Sequence, residues 1–156
     1  TMPGKGRLGL YPRRFELWSG DERIGAARSV WAIINAETRS MAALSDAPLS
    51  GETERQSLRM DSIPAPDGGE SFRFAPAAEY IDRNGHMNNA AYLAALAEYL
   101  PENSGFGLSI LYHREIMPGD EVTVHWQDTD GARLFQGTVG DEECFRLSNS
   151  AAVSPA

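Results

Sequence analysis

Asn88-Asn89-Ala90-Ala91-Tyr92-Leu93-Ala94-Ala95-Leu96-Ala97-Glu98-Tyr99, residues 88–99, is the stretch on which the fold turns. Counting from Tyr92, the apolar residues Leu93, Leu96 and Leu100 fall at offsets of one, four and eight. That spacing puts them on one face of a single helix of about three turns. Asn88 or Asn89 suits the N-cap, because an asparagine side-chain oxygen accepts one of the N–H groups that a helix start leaves unpaired. Pro101 ends the helix.

Outward from this helix the pattern changes to strands. Four strand-like runs follow, 107–115, 121–127, 132–139 and 143–150, parted by Pro118-Gly119-Asp120, by Asp128-Thr129-Asp130-Gly131 and by Gly140-Asp141-Glu142. Before the helix, residues 71–80 look extended. One helix with a five-stranded antiparallel sheet is an α+β arrangement, in which the curled sheet wraps the helix and buries it on one side. Trp126 and Phe135 are expected in the core, Cys144 as a small strand residue, and His113 and His125 in strands without a part in catalysis. Gly119 reads as turn chemistry.

Further upstream, residues 45–71 are dominated by Ser, Asp, Glu, Gly and Pro, with the clearest break at Ile63-Pro64-Ala65-Pro66-Asp67-Gly68-Gly69. Such a composition predicts a linker, placed here at 49–70, between a part spanning 1–48 and a domain spanning 71–156. In the first part, 11–18 and 23–34 form a predicted β-hairpin across Ser19-Gly20-Asp21-Glu22. Val30, Ala32 and Ile34 alternate with Ser29, Trp31 and Ile33, so the second strand is apolar on both faces and is expected to be covered on both, with Trp31 in a core.

Composition narrows the partners. The 156 residues are 42% hydrophobic, enough for a core, and carry a net charge of −8. An acidic protein is a poor partner for nucleic acid, whose binding depends on phosphate neutralisation. Lys5, Arg7, Arg13 and Arg14 form a basic cluster that suits either an acidic partner or a solvated strand edge. No window approaches the eighteen apolar residues of a membrane span and no basic segment precedes an apolar run near the start, so a soluble cytoplasmic protein is expected. The one cysteine rules out an internal disulfide. Thr1 precedes Met2, and the chain reads as a piece of something longer.

The polar segment Tyr80-Ile81-Asp82-Arg83-Asn84-Gly85-His86-Met87-Asn88-Asn89 lies where a strand hands over to the helix. Turn and cap chemistry accounts for part of it: Asp82 and Asn84 form turns, Gly85 supplies a positive φ, and Asn88 caps. A hydrolytic reading accounts for more. Thioester hydrolysis needs a base to activate water and donors for the developing oxyanion. His86 can act as a base near neutral pH, Asp82 can orient it or activate water itself, and Asn84 can donate to a carbonyl or hold the water. A helix beginning near Asn88 would add unpaired N–H groups and a positive dipole end. Asp82, His86 and Glu115 are conceivable metal ligands, but no second histidine stands at i+3 or i+4 and no cysteine accompanies them, so neither a metal nor a cofactor is expected.

The pattern filled by Asp82, Asn84, His86, Asn88, Asn89 and Tyr92 resembles the signature of the acyl-ACP thioesterases, tandem hotdog proteins that release fatty acids from acyl carrier protein. The resemblance implies a hotdog fold for 71–156 carrying the site, with Asp82, Asn84, His86 and Glu115 catalytic and Asn88, Asn89 and Tyr92 binding substrate. Glu115 enters only through the resemblance, because Arg114-Glu115-Ile116 stands where the family has an Arg-Glu-Cys-like run on the strand after the helix. Ile116 in place of the cysteine implies water attack assisted by a carboxylate rather than a cysteine nucleophile. Thr1-Met2-Pro3-Gly4, Arg14-Phe15-Glu16 and Ala27 to Arg39 resemble the closing strands of the family's first hotdog, whose front is missing. The implied partner is an acyl carrier protein bearing an acyl chain. A single-hotdog acyl-CoA thioesterase and a catalytically silent acyl-binding module are the rivals. A half domain with apolar strand edges is expected to self-associate or to be a truncation of a longer protein.

Overall fold

The computed structural model describes residues 2–3, 10–35, 37–38, 40–41, 60, 62–101 and 106–151. The chain divides into two compact units, Thr1–Met60 and Asp61–Ala156. Most of the expected linker, 49–59 and 61, lies outside the described residues.

The first unit holds a three-stranded antiparallel sheet of β1 (Met2–Pro3), β2 (Leu10–Ser19) and β3 (Glu22–Ala32), in the order β1-β2-β3. Gly20, with φ at 61°, makes the tight turn that the sequence marks. A bulge between Leu17 and Trp18 shifts the register near this turn. The expectation that β3 is covered on both faces is corrected within this unit: Trp31 is 49% exposed and its indole N–H donates to the Ser29 hydroxyl at 2.7 Å.

In the second unit β4 (Glu70–Phe74), β5 (Phe106–Tyr112), β6 (Val122–Thr129), β7 (Ala132–Val139) and β8 (Glu142–Ala151) form an antiparallel sheet in the order β4-β6-β7-β8-β5. Consecutive β6, β7 and β8 are joined by tight turns, while β5 crosses to the far side of β8. One helix, α1 (Ala91–Leu96), lays Tyr92 and Leu96 against Val122, Val124, Phe135, Phe145 and Leu147. This is the expected α+β architecture. Phe135 is fully buried and Trp126 packs at the core margin with Arg133 stacked 4.3 Å from its ring centroid.

Four expectations need correction. The helix is six residues long rather than twelve, and a 3-10 turn at Ala97–Tyr99 tightens its end. Its start is delayed because Asn88 is committed elsewhere: the Asn88 N–H donates to the Tyr80 carbonyl at 2.8 Å, beside an antiparallel bridge between Ile81 and Met87. The strand expected over 71–80 stops at Phe74, and Ala78–Tyr80 is a 3-10 turn. The strand expected over 107–115 ends at Tyr112, because the N–H groups of His113 and Arg114 both donate to the Cys144 carbonyl and end the ladder there. Residues 62–69, expected to be linker, pack against the sheet instead: Ile63 is buried, its carbonyl accepts from Arg146 at 3.0 Å, and the Asp67 N–H donates to Gln127 Oε1 at 3.0 Å.

Candidate active site

Residues 81–88 form a closed loop. The Ile81–Met87 bridge shuts its neck, the Asp82 N–H donates to the His86 carbonyl at 3.0 Å, and the Gly85 N–H donates to the Asp82 carbonyl at 3.0 Å. Gly85 takes φ of 83°, a conformation that costs glycine little and most other residues much more. Asp82 is half-buried, and its carboxylate accepts the Asn84 backbone N–H at 2.7 Å and the Asn84 side-chain amide at 3.2 Å. The aspartate therefore shapes the loop that presents Asn84 and His86.

His86 is held differently. Its Nδ1 lies 3.3 Å from the Met87 carbonyl, and its Nε2 lies 3.6 Å from Glu115 Oε1. A proton on Nδ1 donated to that carbonyl leaves Nε2 as the basic nitrogen facing the carboxylate. The histidine side chain is 19% exposed and the glutamate 44%, so the pair sits at the rim of the core within reach of water. Met87, buried beneath them, gives its N–H to the Ile116 carbonyl at 2.8 Å, which ties the His86 loop to the segment carrying Glu115. Glu115 is thus placed on a loop after β5 and not on the strand.

Among the expected site residues, the structure brings His86 and Glu115 together side by side, and Asp82 and Asn84 together within the loop. Asn88 and Asn89 are exposed at the turn into α1. The Asn88 side-chain oxygen accepts the Ala90 N–H at 2.9 Å and its carbonyl accepts the Ala91 N–H at 2.8 Å, so the N-cap residue is Ala90. The expectation of unpaired N–H groups around Asn88 is corrected: those of residues 88, 90 and 91 all have acceptors. A helix about 9 Å long also carries little dipole to offer. Replacing Asn88 by alanine is expected to cost about 1 kcal/mol, the usual loss at such a turn, seen as a lower unfolding midpoint in urea.

Tyr92 lies in the core, not at the rim. It is 2% exposed, with its ring edge-on to Tyr112 at 5.0 Å and to Phe145 at 5.3 Å. Burial pushes its hydroxyl up to about 12. The residue expected to touch substrate is packed in the core cluster with Phe145 and Leu147.

Sequence reasoning missed several supports. The Tyr112 hydroxyl donates to the Asn89 carbonyl at 3.0 Å. The Arg114 guanidinium donates to Asp120 at 3.1 Å and pairs with Glu142 at 2.9 Å, and Asp120 also accepts the Met117 N–H at 2.8 Å. The usable signal was the aspartate closing Met117-Pro118-Gly119-Asp120, a turn whose acceptor returns toward its own start. His113 pairs with Glu143 at 3.2 Å, away from the His86 loop. The Glu143 carboxyl, which burial would raise, is held below its ordinary range by bonds from Gln136 and Arg146 and by the charges of Arg146 and His113. Among the described residues no group of three or more His, Cys, Asp or Glu is placed to hold a metal, and no helix is long and apolar enough to cross a membrane.

No curated protein matches the chain. Among solved structures it is similar to an acyl-ACP thioesterase from Bacteroides thetaiotaomicron, with a TM-score of 0.81 and 21% identity over 96% of this chain and 65% of that one. It is also similar to a 12:0-ACP thioesterase from Umbellularia californica, with a TM-score of 0.65 and 16% identity over 95% of this chain and 63% of that one. The chain therefore spans somewhat less than two thirds of the length of either structure, and at these identities the likeness shows the hotdog fold alone. The sequence itself carries the further step, because the family model of the acyl-ACP thioesterase C-terminal domain matches residues 66–143, half of the 156, and takes in β4, the His86 loop, α1 and the Glu115 loop. The chain belongs to the acyl-ACP thioesterase family.

Proposed function

We propose that this chain hydrolyses fatty acyl thioesters carried on acyl carrier protein, using residues 71–156 as the catalytic hotdog and residues 1–48 as the closing strands of an incomplete first one. The observation that carries the reading is the approach of His86 Nε2 to Glu115 Oε1 at 3.6 Å, inside the stretch matched to the family. At that separation the two groups are too far apart for a short direct hydrogen bond and close enough for one water to rest against both. The pair takes a proton from this water as its oxygen bonds to the thioester carbonyl carbon. Collapse of the tetrahedral intermediate breaks the carbon–sulfur bond, and the proton passes to the departing thiolate. The products are a free fatty acid and the carrier thiol.

The oxyanion needs donors. Asn84 gives one amide hydrogen to Asp82 and retains a second, so Asp82, Asn84, His86 and Glu115 divide the work between loop shape, oxyanion donor and base. Asn88 and Asn89, exposed beside this loop, are the nearest polar groups for the substrate's polar arm. Cys144, the chain's only thiol, is fully buried and its pKa is raised by that burial, which supports water over a cysteine nucleophile. Self-association belongs to the same reading, since Leu17, Trp18, Ile24 and Trp31 are each about half exposed or more in the first unit.

The test is release of free thiol from matched acyl-ACP and acyl-CoA substrates by the purified chain. Turnover of acyl-ACP with a kcat/KM at least about tenfold above that for acyl-CoA is the expected result, a difference of about 1.4 kcal/mol in transition-state binding. Preference for acyl-CoA would instead identify a coenzyme A thioesterase, and tight acyl binding without turnover a silent acyl-binding module.

A further inference from the structure

Glu115 is anchored through its neighbours. On its C-terminal side Ile116 is fully buried and its carbonyl accepts the Met87 N–H at 2.8 Å. On its N-terminal side stands Arg114. The Arg114 N–H donates to the Cys144 carbonyl at 3.2 Å, its Nη1 reaches Asp120 Oδ2 at 3.1 Å and Cys144 Sγ at 3.7 Å, and its Nε pairs with Glu142 Oε2 at 2.9 Å. The guanidinium thus bridges the Met117–Asp120 turn to the start of β8. Asp120 in turn accepts the Met117 N–H, which closes the loop on the far side of Glu115.

We propose that Arg114 is a positioning residue for Glu115: its guanidinium clamps the 113–120 loop to β8, so that the Glu115 carboxylate is held against His86. This rests on the hydrolytic reading above. The charge of Arg114 is engaged by Asp120 and Glu142, so the arginine acts on the glutamate through the backbone. With residues 114 and 116 both anchored, Glu115 retains little freedom beyond its own side-chain rotation. A planar fork meets acceptors in three directions, which the point charge of a lysine does not reproduce.

The kinetic test measures kcat and KM for Arg114→Gln and Arg114→Lys, each alone and combined with Glu115→Gln, beside Arg73→Gln on exposed β4 as an indifferent control. Misplacing a catalytic group by about 1 Å costs on the order of a hundredfold, so Arg114→Gln is expected to lower kcat by roughly tenfold to a hundredfold with little change in KM. Arg114→Lys should restore only part of the loss. In the Glu115→Gln background the same substitutions should cost almost nothing more, since residues acting as one unit are non-additive. An equal loss in both backgrounds would mark a merely structural role and overturn the proposal.

A second readout does not depend on turnover. In the NMR spectrum of the parent chain, Glu115→Gln should move the His86 ring signals, which are identified by their loss in His86→Gln. With Arg114→Gln in place that response should largely vanish. Where Arg114→Gln fails to fold, Glu142→Gln loosens the same clamp more gently. No thioester turnover with the expected ring response would sink the hydrolytic reading and leave the positioning intact. A ring response that Arg114→Gln or Glu142→Gln leaves unchanged would overturn the positioning whatever the turnover.

Discussion

Replacing Glu115 by glutamine is expected to lower kcat for thioester hydrolysis by about 10²- to 10⁴-fold, the range that a positioned acid–base group supplies. The substitution keeps the side chain's length and shape while removing its charge and its capacity to take a proton. Glu115 is 44% exposed on a loop, whereas the loop itself is held by Ile116 in the core and by Arg114, so the folded structure should persist. Thermal unfolding of the variant should therefore superimpose on that of the parent. Steady-state kinetics beside a melting curve separates the two effects. Activity within about twofold of the parent would remove Glu115 from the chemistry, since that is far below the effect of any acid–base group.

Replacing Phe145 by alanine is expected to destabilise the second unit by about 3–5 kcal/mol, the usual cost of deleting a buried phenyl ring. Phe145 has no exposed surface, meets Tyr92 edge-on at 88° with ring centroids 5.3 Å apart, and lies over Gly137 on the neighbouring strand. A Cβ at Gly137 would collide with the Phe145 ring, so the glycine is there because the phenylalanine occupies the space above it. Alanine at 145 would leave a void bounded by this glycine and by Tyr92, and no neighbour on a strand can move far enough to fill it. At the sensitivity usual for domains of about a hundred residues, the melting temperature should fall by about 12 °C or more. Because Tyr92, packed on this ring, stands at the start of α1 close after the His86 loop, some loss of activity should accompany the loss of stability. Chemical denaturation measures the first and thiol release the second; a shift below about 1 kcal/mol would mean that the ring carries little of the packing in this core.

Much of the second unit could be read from the chain. Strands β6, β7 and β8 lie within about two residues of where their alternation and turn residues place them, because each is bounded by a strong turn of glycine with aspartate or glutamate. The helix was legible as an element but not in length. Tyr92 and Leu96 mark its buried face, whereas Leu100 lies beyond its end, and the pattern gives no hint that Asn88 pairs with Tyr80 across a bridge and so holds the chain extended up to the turn. Likewise Glu115 stands in an apparently continuous strand pattern, and only the shared acceptor at Cys144 reveals where that strand ends. Long-range hydrogen bonds of this kind leave no periodic trace.

The polar segment from Asp82 to Asn89 was legible as a cluster because its density of turn formers and titratable groups exceeds what one turn needs. Its division of labour was not. Asp82 bonds Asn84 within the loop, His86 faces Glu115 on another loop, and Tyr92 packs in the core from α1. Arg114 and Tyr112 escaped notice for the same reason: each acts on residues 6 to 30 positions away, so neither forms a local motif.

The measurement that tests the central claim most directly is a single turnover of an acyl-ACP by excess purified chain in water enriched in oxygen-18, followed by mass spectrometry of both the acid and the protein. Attack by a water activated at His86 and Glu115 predicts free fatty acid carrying one heavy oxygen and protein of unchanged mass. An acyl group left on the protein, or no acid released at all, would contradict it.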